Sequence, residues 1–246
     1  MKRFLLVICL IFFSYTLFGQ NLRVAVAANL QGVIKVLAKD FKEKTGIEVE
    51  PIVGSSGNLA TQIKNGAPFD VFLSADISFP EGLFNDGFAT KAPEVYAYGS
   101  LVIVSTQEIG FENWERVLLS ARINKIAIAN PKIAPYGKAA EETLTKKGIW
   151  TDIQPKIVQG ESIAQVNTYI TTGVADVGFT TQSLIKDSEG KTKLYWKLID
   201  PKTYTPIKQG MVIIKASKAQ ADAEKFYQYI LSPDAKKILK AYGYGV

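Results

Sequence analysis

The sequence contains no histidine and a single cysteine, Cys9. The lack of histidine excludes Ser-His-Asp and Cys-His nucleophile systems, histidine general bases and histidine metal ligands. Because Cys9 lies close to the amino terminus, in a segment that has the features of a cleaved leader, the rest of the chain can form no disulfide. These absences argue against a hydrolase and against a zinc or copper site. They also leave the stability of the fold to its apolar core.

The first nineteen residues have the composition of a secretory signal peptide. Lys2 and Arg3 form a positive n-region, an uncharged apolar run extends from Phe4 to Phe13, and Gly19 is a small residue for the cleavage site. Cys9 lies inside the apolar run and not at the cleavage point, which argues against a lipid anchor. No later apolar run approaches the roughly 18 residues that suggest a membrane helix. We therefore expect a periplasmic protein whose mature form is soluble.

The charge of the chain is mildly basic. It has 29 lysines and arginines against 23 acidic residues, a net charge of +6 that falls to +4 without Lys2 and Arg3. The basic residues are scattered, with no stripe and no interleaved aromatics, so the footprint of a nucleic-acid-binding protein is absent. A weak positive field can help to gather anions, but ordinary solubility is the simpler explanation for it.

Short strand-like segments alternate with helical patterns along the whole chain. The segment Leu22–Ala28 alternates as a strand does, Asn29 is a candidate helix N-cap, and apolar residues from Leu30 to Phe41 then recur on one helix face. The same alternation starts again near Lys125. This pattern predicts an α/β protein with two lobes, each a mostly parallel sheet flanked by helices.

Two strands are candidates for crossing between the lobes, one near 99–104 and one near 207–213, and together they would form a hinge. The predicted domains are the signal peptide at 1–19, a first lobe made of 20–100 plus 208–246, and a second lobe made of 101–207. The last two helices are expected to return to the first lobe.

Four strand-to-helix turns end in small or polar residues. They are Ala28-Asn29, Ser55-Ser56-Gly57, Pro135-Tyr136-Gly137 and Glu161-Ser162-Ile163. Ligands of open α/β sheets bind at the carboxyl ends of the strands, and the free N–H groups of helix starts favour anions. None of the four turns carries a lysine or arginine. If the two lobes face each other, the turns form a neutral site for a small dianion, with the Asn29 amide and the Ser56 hydroxyl as side-chain donors.

Each of these features also has an ordinary structural explanation. Any one of the turns alone is a common capped helix start, Asn29 is equally an N-cap, and Ser56 is equally part of a serine turn. Asp70 and Asp76 flank a buried strand and could form a carboxylate pair or a metal site, but turn and cap roles are favoured. Only the combination of four turns points to a binding site.

Several motifs resemble the periplasmic molybdate-binding proteins of ABC transporters. They are Ala27-Ala28-Asn29-Leu30, the segment Gly54–Ala60, the segment Gly66–Asp76, the segment Ala134–Ala140, and the terminal Phe226-Tyr227 and Ala241-Tyr242-Gly243. The resemblance covers nearly all of the chain after residue 19, in the same order. The Gly66–Asp76 block is its most specific part.

The resemblance implies a type II solute-binding fold that holds molybdate or tungstate by hydrogen bonds, with no cofactor and no direct metal ligand. By position in the motifs, the implied ligand-binding residues are Asn29, Ser56, Tyr136, Ile163, Ala28 and Thr181. Many members have serine where this chain has Asn29, and some have a tyrosine where this chain has the shorter Thr181. The resemblance further implies a membrane permease as partner, and we expect a monomer.

Three alternative functions stay open at the level of sequence. The first is a receptor for another tetrahedral oxyanion such as sulfate or phosphate, since charge alone does not distinguish these dianions. The second is an enzyme that uses Asp70 or Asp76 as a general base, which the lack of histidine and of an activated nucleophile disfavours. The third is a ligand-sensing domain without a transport role, which the signal peptide disfavours.

Overall fold

The structure is a computed structural model that describes residues 21–246, so the predicted signal peptide lies outside the described residues. In chain order the strands are β1 Leu22–Ala27, β2 Val49–Gly54, β3 Val71–Leu73, β4 Glu94–Gly99, β5 Leu101–Ser105, β6 Ile126–Ala129, β7 Ile157–Gly160, β8 Val177–Thr181, β9 Tyr195–Leu198 and β10 Ile207–Ile213.

The α-helices are α1 Val33–Thr45, α2 Ser56–Lys64, α3 Ser78–Asn85, α4 Trp114–Leu119, α5 Pro135–Lys146, α6 Trp150–Ile153, α7 Ile163–Thr171, α8 Gln182–Ser188, α9 Gln220–Leu231 and α10 Pro233–Ala241. Short 3-10 turns occur at Ala28–Leu30, Gln154–Lys156 and Pro201–Thr203. Across residues 21–246, none of the helices has the length and apolar character needed to cross a membrane.

The strands form two five-stranded mixed sheets. The first has the order β2-β1-β3-β10-β4, and the second has the order β7-β6-β8-β5-β9. In the first sheet only β10 runs antiparallel to its neighbours, and in the second only β5 does. Four strands of each sheet therefore point the same way. The predicted architecture of two lobes with mostly parallel sheets is confirmed.

The chain passes between the sheets at two places. It leaves the first sheet at Gly99 and enters the second at Leu101, so a single residue, Ser100, joins β4 to β5. The prediction of one continuous strand over this segment was wrong, because its two halves pair with different sheets. The return lies just before β10. The predicted domain boundaries stay a prediction, since strand pairing alone does not show which parts move as units.

The first helix illustrates how local signals set an element. Its apolar positions Val33, Ile34, Leu37 and Phe41 are buried, as the 3.6-residue period predicts. Gly46 ends α1 in the left-handed region at a φ of 74°, a conformation that costs glycine little. The helix begins three residues later than predicted, because Ala28–Leu30 first forms a 3-10 turn.

The two lobes are in contact with each other. Ala27, Ala28 and Ala75 come from loops and strands of the first lobe but belong to the buried apolar cluster around the second sheet. The Gly57 N–H, in α2, donates to the Ile133 carbonyl of the second lobe at 2.9 Å. These contacts hold the carboxyl ends of the two sheets close together and enclose the site between them.

Candidate anion-binding site

A small cavity lies between the lobes, at the carboxyl ends of the strands. The space among its lining atoms, including the part that is open to solvent, is about 210 Å³. Its lining comes from the ends of several strands and the beginnings of the helices that follow them. The lining residues are Ala27, Ala28, Asn29, Ser55, Ser56, Ala75, Ala134, Pro135, Tyr136 and Ile163.

Three helix starts present backbone donors to this cavity. Ser56 is the first residue of α2, Tyr136 the second of α5 and Ile163 the first of α7. The first four N–H groups of a helix have no carbonyl partner within the helix, and the helix dipole makes this end partly positive. Two of these starts come from parallel strands of the second sheet and one from the first. Three of the four predicted turns thus begin α-helices at the cavity, whereas the fourth, Ala28-Asn29, lies in a 3-10 turn.

Ser56 offers a side-chain donor as well as its backbone. The Ala75 N–H donates to Ser56 Oγ at 3.0 Å, so this bond fixes the position of the hydroxyl oxygen and leaves its hydrogen available. The side chain is almost completely buried. Ser56 can thus donate two hydrogen bonds to one bound anion.

Ser55 is a cavity residue that sequence reasoning did not identify as a donor. It is buried, it precedes α2 at the N-cap position, and its side chain does not cap that helix. Its Oγ has no hydrogen-bond partner among residues 21–246. A buried hydroxyl without a partner is costly, at about 1–3 kcal/mol, so a bound acceptor is the natural complement of this group. In the sequence, nothing marks Ser55 as a donor beyond its place between Gly54 and Ser56.

Asn29 lines the cavity but is not the helix N-cap that the sequence predicted. It lies in the middle of the 3-10 turn, and its side chain makes no capping bond. Asn29 Nδ2 instead donates to Gln209 Oε1 at 2.8 Å and to Tyr244 OH at 2.9 Å. Both partners arrive from distant parts of the chain, so no local pattern pointed to them.

The structure places Thr181 outside the cavity lining. It is the N-cap of α8, where its Oγ1 accepts from the Ser183 N–H at 3.0 Å and contacts Ser183 Oγ at 2.9 Å. Ala28 does line the cavity, but its methyl group has no hydrogen-bonding atom, so only its backbone can contact an anion. Of the six sequence-derived site residues, five are brought together and Thr181 is not.

The site carries no charged side chain. Within the described residues, no lysine, arginine, aspartate or glutamate lines the cavity. Tyr136 is the titratable residue there, and burial raises the pKa of its hydroxyl well above the usual value. Burial likewise raises the pKa of Tyr96, which lies behind the cavity. These hydroxyls are therefore neutral donors or acceptors at every physiological pH.

The acidic residues considered from the sequence have structural roles. Asp70 Oδ2 accepts from the Arg23 N–H at 2.7 Å, and Asp76 Oδ1 accepts from the Phe79 N–H at 3.3 Å near the start of α3. Asp76 therefore has the local cap role that the sequence favoured. Asp70 does not, because its partners Arg23 and Ser217 lie 47 and 147 positions away in the chain. The described part of the chain holds no cluster of three or more histidine, cysteine or acidic side chains able to bind a metal ion.

Comparison with known proteins identifies the family. A family model described as bacterial extracellular solute-binding protein matches residues 22–245. The chain belongs to this family. Its members bind solutes, and the chain is accordingly a solute-binding protein and not an enzyme.

This solute-binding protein is similar to molybdate-binding proteins along nearly its whole length. It is 38% identical to the molybdate-binding protein ModA of Rhodobacter capsulatus over 221 residues, which cover 89% of this chain and 86% of that protein. It is 37% identical over 228 residues to ModA of Azotobacter vinelandii, covering 92% and 90% of the two chains.

A solved structure shows the same fold. The periplasmic molybdate-binding protein of Azotobacter vinelandii superposes with a TM-score of 0.87 at 38% identity, covering 92% of this chain and 99% of that one. The resemblance found in the sequence motifs is therefore confirmed over the described lobes.

Proposed function

We propose that this protein captures molybdate or tungstate between its two lobes and delivers the anion to the permease of an ABC transporter. The observation that carries the proposal is the uncharged cavity lined by three helix starts, in a chain that is 38% identical to a molybdate-binding protein over 89% of its length. In this proposal the anion is a transported ligand, held as the intact oxyanion, and not a cofactor.

The chemistry of the lining fits a fully ionised oxyanion. The backbone N–H groups of Ser56, Tyr136 and Ile163 and the hydroxyl of Ser56 are neutral donors held by the fold. A hydrogen bond to a charged acceptor contributes about 1.5–3 kcal/mol, so several such bonds replace the hydration of a dianion without any positive side chain. In our proposal Asn29 and the Ala28 backbone complete the shell, while Thr181 supports it indirectly through α8.

The selection among dianions is assigned to the size of the cavity. Molybdate, tungstate and sulfate are all tetrahedral dianions, so the hydrogen-bond donors of the site cannot distinguish them by charge. A rigid cavity closed on both sides favours the anion whose oxygens reach all the donors at once. Delivery to a membrane permease requires a protein outside the cytoplasm, so we propose a periplasmic location. We also propose that the receptor is a monomer.

The test is a titration of the purified protein, lacking residues 1–19, with molybdate, tungstate, sulfate and phosphate. Melting temperature and calorimetry would be followed in parallel. A ligand present at about 1,000 times its Kd stabilises the folded state by about 4 kcal/mol, so molybdate and tungstate are expected to raise the melting temperature by several degrees. Stabilisation by sulfate or phosphate alone would contradict the proposal and identify a different oxyanion receptor.

A further inference from the structure

One buried amide connects the two lobes directly behind the cavity. Gln209, on β10 of the first sheet, is completely buried. Its Oε1 accepts from Asn29 Nδ2 at 2.8 Å, and its Nε2 donates to the hydroxyl of Tyr136, in the second lobe, at 3.1 Å. Asn29 and Tyr136 both line the cavity. Gln209 therefore contacts two site residues, one from each lobe, without lining the cavity itself.

The orientation of the Asn29 amide is unsuited to an anion. Both hydrogens of Asn29 Nδ2 are used, by Gln209 Oε1 and by Tyr244 OH. The other amide atom, Asn29 Oδ1, is buried and has no hydrogen-bond partner within residues 21–246. Oδ1 is an acceptor, so in this orientation the Asn29 amide has no free hydrogen to donate to an oxyanion.

A second mismatch lies on the far side of Gln209. The Tyr96 hydroxyl has one hydrogen, yet it lies within hydrogen-bond distance of two acceptors, the Ser74 carbonyl at 2.9 Å and Gln209 Oε1 at 3.1 Å. Gln209 Nε2 carries two hydrogens but has only Tyr136 as an acceptor in the described part of the chain. One of the two contacts of the Tyr96 hydroxyl therefore lacks a hydrogen, while one hydrogen of Gln209 Nε2 lacks an acceptor.

Reversing both amides together removes all of these mismatches. The two orientations of an amide have nearly the same shape, so the hydrogen-bond partners decide between them. After reversal, Gln209 Nε2 donates to Asn29 Oδ1 and to Tyr96 OH, while Gln209 Oε1 accepts from Tyr136 OH. Tyr96 is then free to donate to the Ser74 carbonyl. The Tyr244 hydroxyl, which donates to the Asn29 backbone carbonyl at 2.8 Å in this structure, can donate to Asn29 Oδ1 instead, because the Ser183 hydroxyl also donates to that carbonyl at 2.5 Å. Asn29 Nδ2 is then left without a protein acceptor, and because Asn29 lines the cavity, this group can donate to a bound anion.

We propose that Gln209 is a positioning residue of the anion site, and that in the anion-bound protein the amides of Gln209 and Asn29 are both reversed relative to this structure. The inference rests on the proposed function for the presence of an oxyanion in the cavity. Gln209 acts through Asn29, since it holds Asn29 Oδ1 on its own Nε2 and so turns Asn29 Nδ2 toward the anion. The tyrosine hydroxyls support this arrangement as neutral partners.

The direct test is nuclear magnetic resonance of the unmodified protein saturated with molybdate. Once the side-chain amide hydrogens of Gln209 are assigned, their nuclear Overhauser contacts report which tyrosine lies beside Nε2. The proposal predicts strong contacts to the ring hydrogens of Tyr96 and weaker contacts to those of Tyr136. The opposite pattern would show that the Gln209 amide keeps the orientation of this structure when molybdate is bound, and it would overturn the proposal.

A double-mutant cycle tests whether Gln209 acts through Asn29. Gln209→Leu is expected to weaken molybdate binding by about tenfold or more in the parental protein, because Asn29 loses the group that orients it. In the Asn29→Ser background the same change is expected to have much less effect, because a hydroxyl needs no amide to turn it. Equal effects in the two backgrounds would contradict the proposal. The exposed Gln228→Leu serves as the matched control and is expected to leave affinity unchanged.

The outcome also separates this inference from the proposed function. If the parental protein binds sulfate or phosphate but not molybdate, the proposed function fails, and the same measurements with that anion still decide the role of Gln209. If the protein binds molybdate but the cycle shows equal effects, the function stands and the positioning role falls. If none of the four anions binds, both proposals are overturned.

Discussion

Individual residues at the cavity are held in place by bonds that also determine which of their atoms remain free. The Ser56 hydroxyl accepts from the Ala75 N–H and keeps its hydrogen, whereas the Ser55 hydroxyl has no partner among residues 21–246. The two neighbouring serines thus differ in how they respond to ligand. Ser56 is supported with or without an anion, and Ser55 gains a partner only when an anion is bound.

Replacing Ser56 with alanine is expected to weaken molybdate binding by roughly 1–3 kcal/mol, because one charge-assisted hydrogen bond is lost. The change also leaves the Ala75 N–H without its acceptor, so the unliganded protein is expected to be slightly less stable. Calorimetric titration and thermal unfolding measure the two effects separately. Ser78→Ala, which removes an exposed hydroxyl at the start of α3, is the control and should leave the affinity unchanged. An unaltered affinity in Ser56→Ala would remove this residue from the site.

Ser55→Ala is expected to separate stability from binding. Removing a buried hydroxyl that has no partner should leave the unliganded melting temperature unchanged or slightly higher, since no bond is lost. Molybdate affinity should fall by roughly 1 kcal/mol or more if the anion is the missing partner. The measurements are the same two as for Ser56. A loss of stability with no change in affinity would show that Ser55 only shapes the turn.

At the scale of elements, the site depends on how closely helix α2 approaches the second lobe. A Cβ atom added to Gly57 would lie 2.9 Å from the Ile133 Cα, closer than real Cβ contacts allow. The Gly57 N–H also donates to the Ile133 carbonyl. Gly57 is therefore needed for the approach of the two backbones, and its φ does not lie in the left-handed region.

Gly57→Ala is expected to lower molybdate affinity by about tenfold or more, because the extra methyl group holds the lobes apart and separates the donors on the two sides. The same methyl group disturbs the Gly57–Ile133 contact without the anion as well, so the melting temperature of the unliganded protein is expected to stay level or fall slightly, with the helix preference of alanine offsetting part of the loss. Gly82→Ala in α3 is the matched control: it is also a helical glycine, and nothing lies within 4 Å of its added Cβ. If both variants bind molybdate equally well, the close approach is not required for binding.

At the scale of the whole molecule, charge is kept away from the binding site. The tyrosine hydroxyls in and behind the cavity have raised pKa values because they are buried. Asp187, which packs beside Gly32 at the boundary of the lobes, has a raised pKa because burial disfavours its charged form, although Lys191 and Lys35 oppose the shift. A raised pKa means that this arrangement of the two lobes disfavours the ionised carboxyl of Asp187. Protonation of Asp187 at acidic pH therefore favours this arrangement.

Molybdate affinity is therefore expected to be constant between about pH 6 and pH 8, because no histidine is present and the buried tyrosines stay protonated throughout. Calorimetric titration at several pH values in this range measures the affinity. Protonation of Asp187 would change the affinity only at pH values below this range. An affinity that changes tenfold across this range would mean that a titrating group contacts the anion.

Local patterns in the sequence were sufficient for most of the fold. Alternation predicted β1 and β2, and the helical period predicted the buried face of α1 from Val33 to Phe41. The break at Ser100 was missed, since both of its flanks are extended and only their pairing separates them. Helix α8 was missed as well, because its short segment has little periodicity.

The sequence by itself determined the class of the site. Three features that can be recognised without the fold point to it: the absence of histidine, the small polar turns after parallel strands, and the motifs around Ser56 and Tyr136. The tertiary structure decided which atoms those residues present. Asn29 is oriented by Gln209 and Tyr244, which lie 180 and 215 positions away, and Thr181 is turned aside to cap α8. Helices and strands follow from local periodicity, but a buried side chain takes its partners from whatever the folded chain brings beside it.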